Sequence, residues 1–217
     1  MSDLNRIWPL FASNLFEIFI DPNLYNKDKI LNTVISNYEK QPGRNNWDSV
    51  SNLHHYYNDW NNNKLEPVDL KSLLPIYKGV FTNIVNSIGP SLEHTFSIEN
   101  ITVYNDKDQY MRLHDHCQGS FFTAVHYLMC DDNSAQLSIR NPNSLFIYPP
   151  PHATRTTDLL NKHVFNSGYY FNWLVQPKMD TMVVFPSYLK HEVLPVKNKP
   201  TKYRIAISVN VSINTLV

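Results

Sequence analysis

The sequence predicts an α+β chain, mainly β, in which helices from its first part pack on the outer sheet face of a sandwich or barrel built by its second part. Three observations carry that reading. Two stretches in the first part repeat apolar residues at steps of three and four; the period changes to alternation after Gly89-Pro90; and about eight short apolar segments then follow, separated by polar, proline-bearing turns. With 217 residues, 42% of them hydrophobic, the chain can bury roughly 70% of its unfolded surface, so its core needs neither disulfides nor structural metal.

Taken in order, Trp8 to Ile20 is apolar, alternates at Leu15, Ile18 and Ile20, stops at Asp21-Pro22, and reads as a short strand. From Asn26 to Glu39, Ile30, Leu31, Val34, Ile35 and Tyr38 line one face of an amphipathic helix. Gln41 to Asn46 breaks that period, and the polar, aromatic, Asn-rich segment to Pro67 reads as a surface loop with a helical turn or two. Asp69 is the expected cap of a second helix reaching about Ser87, with Leu73, Leu74, Tyr77, Val80, Phe81, Ile84, Val85 and Ile88 at helical spacing. Strands are expected near 95–105, 109–113, 121–129, 135–139, 145–148, 169–176, 181–186, 190–196 and 203–213. The stretch from Asn141 to Asn172, carrying Pro149-Pro150-Pro151, His152, Arg155 and His163, reads as a long loop of the kind that covers active sites. No repeat or Gly/Ser linker divides the chain, so 1–217 is read as one domain: 1–92 a helical buttress, 93–217 the β core.

Composition excludes several function classes. Nineteen Lys+Arg balance nineteen Asp+Glu, and the pI is near 7.1, so no global field draws the chain to phosphate backbones or anionic lipid, and nucleic acid is disfavoured as a partner. Cys117 and Cys130 form no C-x-x-C pair, which leaves no disulfide framework and no thiolate zinc knuckle, and suggests a reducing, cytoplasmic setting. Met1 to Arg6 has no leader-like pattern, and no apolar run approaches the roughly 18 residues of a membrane span. With five glycines, neither G-x-G-x-x-G nor G-x-x-x-x-G-K occurs.

Two features carry chemistry. His114-Asp115-His116 stands at the entrance of an apolar strand, where period two would put both imidazoles on one face and Asp115 on the other. His191, at the end of another strand after Val183-Val184-Phe185-Pro186, is the distant third ligand, completing a three-histidine metal centre with open positions. A lone histidine is more often a capped or surface residue; the paired spacing and the distant partner shift the balance toward a metal. Arg204 interrupts the apolar strand 203–210, where burial is costly unless the guanidinium meets an anion. Arg204, Ala206 and Ser208 share a face, on which Arg204 would grip the distal carboxylate of a dicarboxylate and Ser208 would add a hydroxyl. A rim salt bridge is the plainer reading of Arg204.

From Leu113 to Asn210 the succession H-x-H, Thr123-Ala124-Val125-His126-Tyr127-Leu128, an Asn-Pro turn, Phe185-Pro186-Ser187-Tyr188-Leu189-Lys190-His191 and Arg204-Ile205-Ala206-Ile207-Ser208-Val209-Asn210 resembles a family of Fe(II)/2-oxoglutarate-dependent oxygenases with bacterial and bacteriophage members. Pro9-Leu10-Phe11 and the helices after it also resemble the family's N-terminal part. The resemblance implies a double-stranded β-helix, or cupin-like jelly roll. It implies Fe(II) at His114, His116 and His191, and 2-oxoglutarate held by Arg204, with Tyr127 and Tyr104 as further co-substrate contacts. It also implies a small-molecule or peptide substrate, and host cytoplasm for a phage-encoded member. An aromatic N-terminal segment, if exposed, would support a homodimer.

The chain departs from the wider superfamily at His116, where a carboxylate is commoner, and at Ala124 and His126, where the family favours Gly and Tyr. Since Tyr127 points inward, His126 is assigned to structure; Cys117, beside the ligand pair, reads as a small buried hydrophobe or a redox-sensitive thiol. The leading expectation is a dioxygenase that hydroxylates a substrate with release of succinate and CO2, its channel roofed by the 141–172 loop with Tyr148, Arg155 and Tyr169. Two alternatives stand beside it: a cupin-like three-histidine dioxygenase that uses no 2-oxoglutarate, and a non-catalytic jelly-roll binding or virion-associated protein.

Overall fold

A computed structural model of the chain describes residues 13–40, 65–89, 92–107, 109–142 and 172–214. Residues 41–64 of the expected loop to Pro67, the strand near 145–148, and the part of the covering loop with Tyr148, Arg155, His163 and Tyr169 lie outside the described residues.

β1 (Phe16–Phe19) leads through a single turn of 3-10 helix at Pro22–Leu24 into α1 (Lys27–Lys40). α1 buries Ile30, Leu31, Val34 and Tyr38, the stripe that its period predicts. It also buries Asn37, whose amide exchanges two hydrogen bonds with the Glu66 backbone at 2.7 and 3.0 Å and so satisfies its own burial. α2 (Leu74–Ile88) starts later than the sequence suggests. Asp69 does not cap it: the carboxylate accepts from Lys71 N at 3.2 Å in a preceding turn, and the cap position falls to Leu73, which offers no side-chain acceptor. Pro75 in the first turn needs no N–H partner and starts the helix instead. Gly89 closes the helix by donating to Val85 O at 3.1 Å.

The remaining strands are β2 (Glu93–Tyr104), β3 (Met111–His114), β4 (Phe122–Met129), β5 (Leu137–Arg140), β6 (Asn172–Val175), β7 (Thr181–Pro186), β8 (His191–Val193) and β9 (Arg204–Asn214). They pair antiparallel in nested fashion, β2 with β9, β3 with β8, β4 with β7 and β5 with β6. That nesting winds a folded-over hairpin into two sheets, of order β1-β7-β4-β9-β2 and β3-β8-β5-β6. The result is a jelly roll.

The five-stranded sheet is covered on both faces, so β4 is buried almost throughout, while β9 alternates Ile205, Ile207, Val209 and Val211 toward the helices with Arg204, Ala206, Ser208 and Asn210 on the other face. One face meets the helices: Ile101, Val103, Ala124, Leu128, Met182, Val184, Ile205 and Ile207 join Leu31, Val34, Tyr77 and Phe81 in a single core, which is the expected buttress. The other face meets the smaller sheet through Val125, Tyr127, Val183 and Phe185 against Leu137, Ile139 and Val175. His126 and Tyr127, adjacent on β4, therefore look into opposite cores. His126 is fully buried on the helix side and shares a 2.8 Å hydrogen bond with the Tyr77 hydroxyl, the structural role expected of it. Burial, reinforced by the charge of Lys27, pushes its pKa down to about 3.

Candidate metal and co-substrate site

Sheet pairing brings the first two histidines together. β3 and β8 are neighbours in the smaller sheet with His114 directly opposite His191, and their ring centroids lie 4.2 Å apart. His116 reaches them by another route than strand alternation. β3 ends at His114, and His116 sits in the turn beyond it, where its N–H donates to Ser187 O at 3.0 Å and its carbonyl accepts from Ser120 Oγ at 2.9 Å. Its ring centroid is 5.1 Å from that of His114 and 5.2 Å from that of His191, and one potential ligand atom from each ring lies within 4.8 Å of the others. Asp115 turns away, accepting from Cys117 N at 3.3 Å on the surface. Cys117 is exposed, which corrects the expectation of a buried hydrophobe there; the turn that carries His116 across leaves the next residue on the outside.

The hydrogen bonds behind the rings decide which nitrogen faces the centre. His114 Nδ1 meets Arg112 O at 2.7 Å, His191 Nδ1 meets Leu189 O at 2.9 Å, and His116 Nδ1 meets Asn210 Oδ1 at 2.7 Å. A carbonyl oxygen only accepts, so each Nδ1 carries the proton and each Nε2 keeps its lone pair for a metal. Burial lowers the pKa of His114, and burial followed by the nearby His114 pushes His191 down to about 3. Neutral imidazole is the form that binds metal. The donor set suits Fe(II), among other first-row ions.

Arg204 is the largest of the fully buried side chains, at 1% exposure, and makes no ion pair among the described residues. This removes the rim salt bridge as its explanation. Its Cζ lies 5.1 Å from the ring centroid of Tyr104 and 5.1 Å from that of Tyr127, so the guanidinium is held between two aromatic faces. Both tyrosines are buried, with pKa values raised above the ordinary phenol range chiefly by desolvation, so each keeps its O–H as a donor. Among the described residues, Tyr104 Oη, Tyr127 Oη and Arg204 Nε have no hydrogen-bond acceptor or donor in place. Two buried hydroxyls beside a guanidinium that has no ion pair among the described residues are what a carboxylate would satisfy, so the residues present fit 2-oxoglutarate.

One cavity joins the two halves of the site, lined by all three histidines with Arg204, Ser208 and Asn100. Ser208 lies opposite Asn100 in the β9–β2 ladder, and the sequence reading missed Asn100. A register shift between Ile98 and Asn100 breaks the alternation: Ile98 and Ile101 both face the helices, while Asn100 turns into the cavity with its Oδ1 buried and without a hydrogen bond among the described residues. Asn210 was likewise missed as a partner of His116. Neither signal is present in sequence, because a bulge and a contact across 94 positions are both products of strand pairing.

Residues 101–210 match the family described as "Putative 2OG-Fe(II) oxygenase". The chain belongs to that family, whose members use Fe(II) and 2-oxoglutarate. Among solved structures, a prolyl-4-hydroxylase from Pseudomonas putida is similar, with TM-score 0.55 and 14% identity over 94% of this chain and 95% of that one. The non-heme alpha ketoglutarate dependent carbocyclase SnoK from nogalamycin biosynthesis is similar at TM-score 0.55 and 14% identity, over 92% of this chain and 79% of that one. At these identities the likeness is one of fold. No curated protein matches the chain. No helix among the described residues is long and apolar enough to cross a membrane.

Proposed function

We propose that the protein is a dioxygenase that hydroxylates a C–H bond of a small-molecule or peptide substrate while converting 2-oxoglutarate and O2 to succinate and CO2. The observation that carries this reading is the cavity shared by three Nδ1-anchored histidines and a buried, unpaired arginine flanked by two orphaned tyrosine hydroxyls. His114, His116 and His191 are the Fe(II) ligands. Arg204 and the hydroxyls of Tyr104 and Tyr127 hold the distal carboxylate of 2-oxoglutarate, and Ser208, further along β9, donates to the co-substrate from the same wall.

Bound Fe(II) supplies the activation of O2, at the expense of 2-oxoglutarate, that the side chains themselves cannot perform. The chain's own contribution is placement. Two rigid sheets set the ligands and the arginine on facing walls, the Nδ1 hydrogen bonds turn the imidazoles so that each Nε2 faces the centre, and buried tyrosines keep water off the guanidinium. One oxygen atom of O2 enters succinate and the other the substrate, so the reaction balances without an added reductant.

Aerobic incubation with Fe(II), 2-oxoglutarate and peptide or metabolite pools tests this reading, with succinate and a product heavier by one oxygen atom as the expected result. Oxygen consumed without succinate would transfer the protein to the three-histidine dioxygenases that use no 2-oxoglutarate. Failure to bind Fe(II) would leave a non-catalytic module. His116→Ala should lose most metal affinity, whereas His116→Asp should keep the metal and change turnover.

A further inference from the structure

His116 occupies the place where a carboxylate ligand is commoner, and it is also the histidine whose anchor comes from far away. His114 and His191 each donate Nδ1–H to the backbone carbonyl two residues upstream, Arg112 and Leu189. A backbone carbonyl is present whatever residue stands there, so those two anchors travel with the histidines. His116 instead meets a side chain, Asn210 Oδ1, at 2.7 Å and 94 positions along the chain.

We propose that Asn210 is the positioning residue for His116. The inference rests on the reading of the three histidines as metal ligands. The His116 backbone is pinned at both its N–H and its carbonyl, to Ser187 O and Ser120 Oγ, so the remaining freedom is rotation of the side chain and choice of tautomer. One accepted hydrogen bond from Nδ1–H settles both, and leaves Nε2 directed at the metal. The acceptor itself stands on firm ground. β9 lies between β4 and β2, with Asn210 in register with Thr123 on one side and Ser97 on the other.

The same strand carries Arg204 and Ser208 on that face, so through Asn210 it holds the third metal ligand at one end and the co-substrate cation at the other. Asn is suited to the task by its neutral acceptor: it fixes the imidazole without placing a negative charge behind it. Aspartate in its place would keep the acceptor and add the charge, while leucine would keep the size and remove the acceptor.

The test compares Asn210→Leu with Asn210→Asp on the full chain, using Co(II) as probe under anaerobic conditions. Outer hydrogen-bond partners of metal ligands are typically worth about 10- to 100-fold in metal affinity, so Asn210→Leu is expected to weaken Co(II) binding by roughly that factor. Asn210→Asp is expected to bind Co(II) at least as tightly as wild type and, with Fe(II), to lower the Fe(III)/Fe(II) potential. Nitrogen-15 NMR of the metal-free protein reads the contact without any metal: His116 is the Nδ1–H tautomer in wild type and in Asn210→Asp, and a mixture in Asn210→Leu. Co(II) affinity and tautomer unchanged in Asn210→Leu would overturn the proposal, as would equal loss of affinity in both variants, which marks a merely structural residue. Wild-type protein that binds no Co(II) would instead refute the metal reading beneath it, and is told apart because the comparison then has no wild-type affinity to lose.

Discussion

Replacing Arg204 with methionine should make the ligand-free protein more stable while removing about half or more of its response to 2-oxoglutarate. The guanidinium is 1% exposed, has no ion pair among the described residues, and leaves Nε without a partner. Its compensation in the ligand-free state is the pair of aromatic faces 5.1 Å away on either side. Exchange of a buried charged group for an apolar side chain of similar volume is often neutral or stabilising by about 1–4 kcal/mol. The ligand response follows from mass action. In wild type, 2-oxoglutarate at a hundred times its Kd adds about 2.7 kcal/mol, and at roughly 2–4 °C per kcal/mol for a chain of this size the melting temperature rises by about 5–10 °C. Loss of a charge-assisted pair lowers affinity by about 10- to 100-fold, so the same concentration adds only about 0.4–1.4 kcal/mol to Arg204→Met, or roughly 1–6 °C. Thermal unfolding in the presence of Mn(II), with and without 2-oxoglutarate, measures both quantities. A variant that is destabilised without ligand and keeps the full wild-type shift would refute the assignment of Arg204 to an absent carboxylate.

Tyr127→Phe removes a hydroxyl that makes no hydrogen bond among the described residues, so unfolding midpoints should barely change while 2-oxoglutarate binding, read by anaerobic titration, weakens by roughly tenfold at about 1.4 kcal/mol per lost hydrogen bond. For His126, the folded pKa of about 3 lies below the unfolded value near 6.5, so its contribution to stability is complete above about pH 6.5 and is lost as pH falls toward 3. Urea midpoints between about pH 6 and 4.5 should therefore decline less steeply in His126→Leu than in wild type, by up to one proton, or about 1.36 kcal/mol per pH unit; equal slopes would place the titrating group elsewhere. Phe81, at 1% exposure and 5.3 Å from the Phe96 ring, ties α2 to β2, and Phe81→Ala should cost about 3–5 kcal/mol in urea unfolding without changing Co(II) affinity.

Periodicity carried much of the fold. The stripe Ile30, Leu31, Val34 and Tyr38 became the buried face of α1, and the change of period at Gly89-Pro90 is where helices give way to strands, because burial of one face forces a local rhythm on the residues. Asp69 was misread since an acceptor near a helix start carries no information on which turn it will join. At the candidate site, His114, His191 and Arg204 stood out in the sequence because polar residues inside apolar strands are costly without a partner, so their residue types alone mark them as candidates. His116 was identified for a reason the structure replaces: strand alternation was expected to aim it, whereas a turn beyond β3, pinned by Ser187 and Ser120 and aimed by Asn210, does so. Asn100 was invisible because the register shift beside it reverses which face it occupies. The sequence by itself determined which residues are apolar, which are chemically costly to bury, and therefore that the chain is β-rich with a candidate site of histidines and an arginine. The tertiary structure alone decided which way each side chain points and what stands behind it, since register, bulges and contacts across 94 positions arise only when strands distant in the chain pair, and local propensity does not encode that pairing.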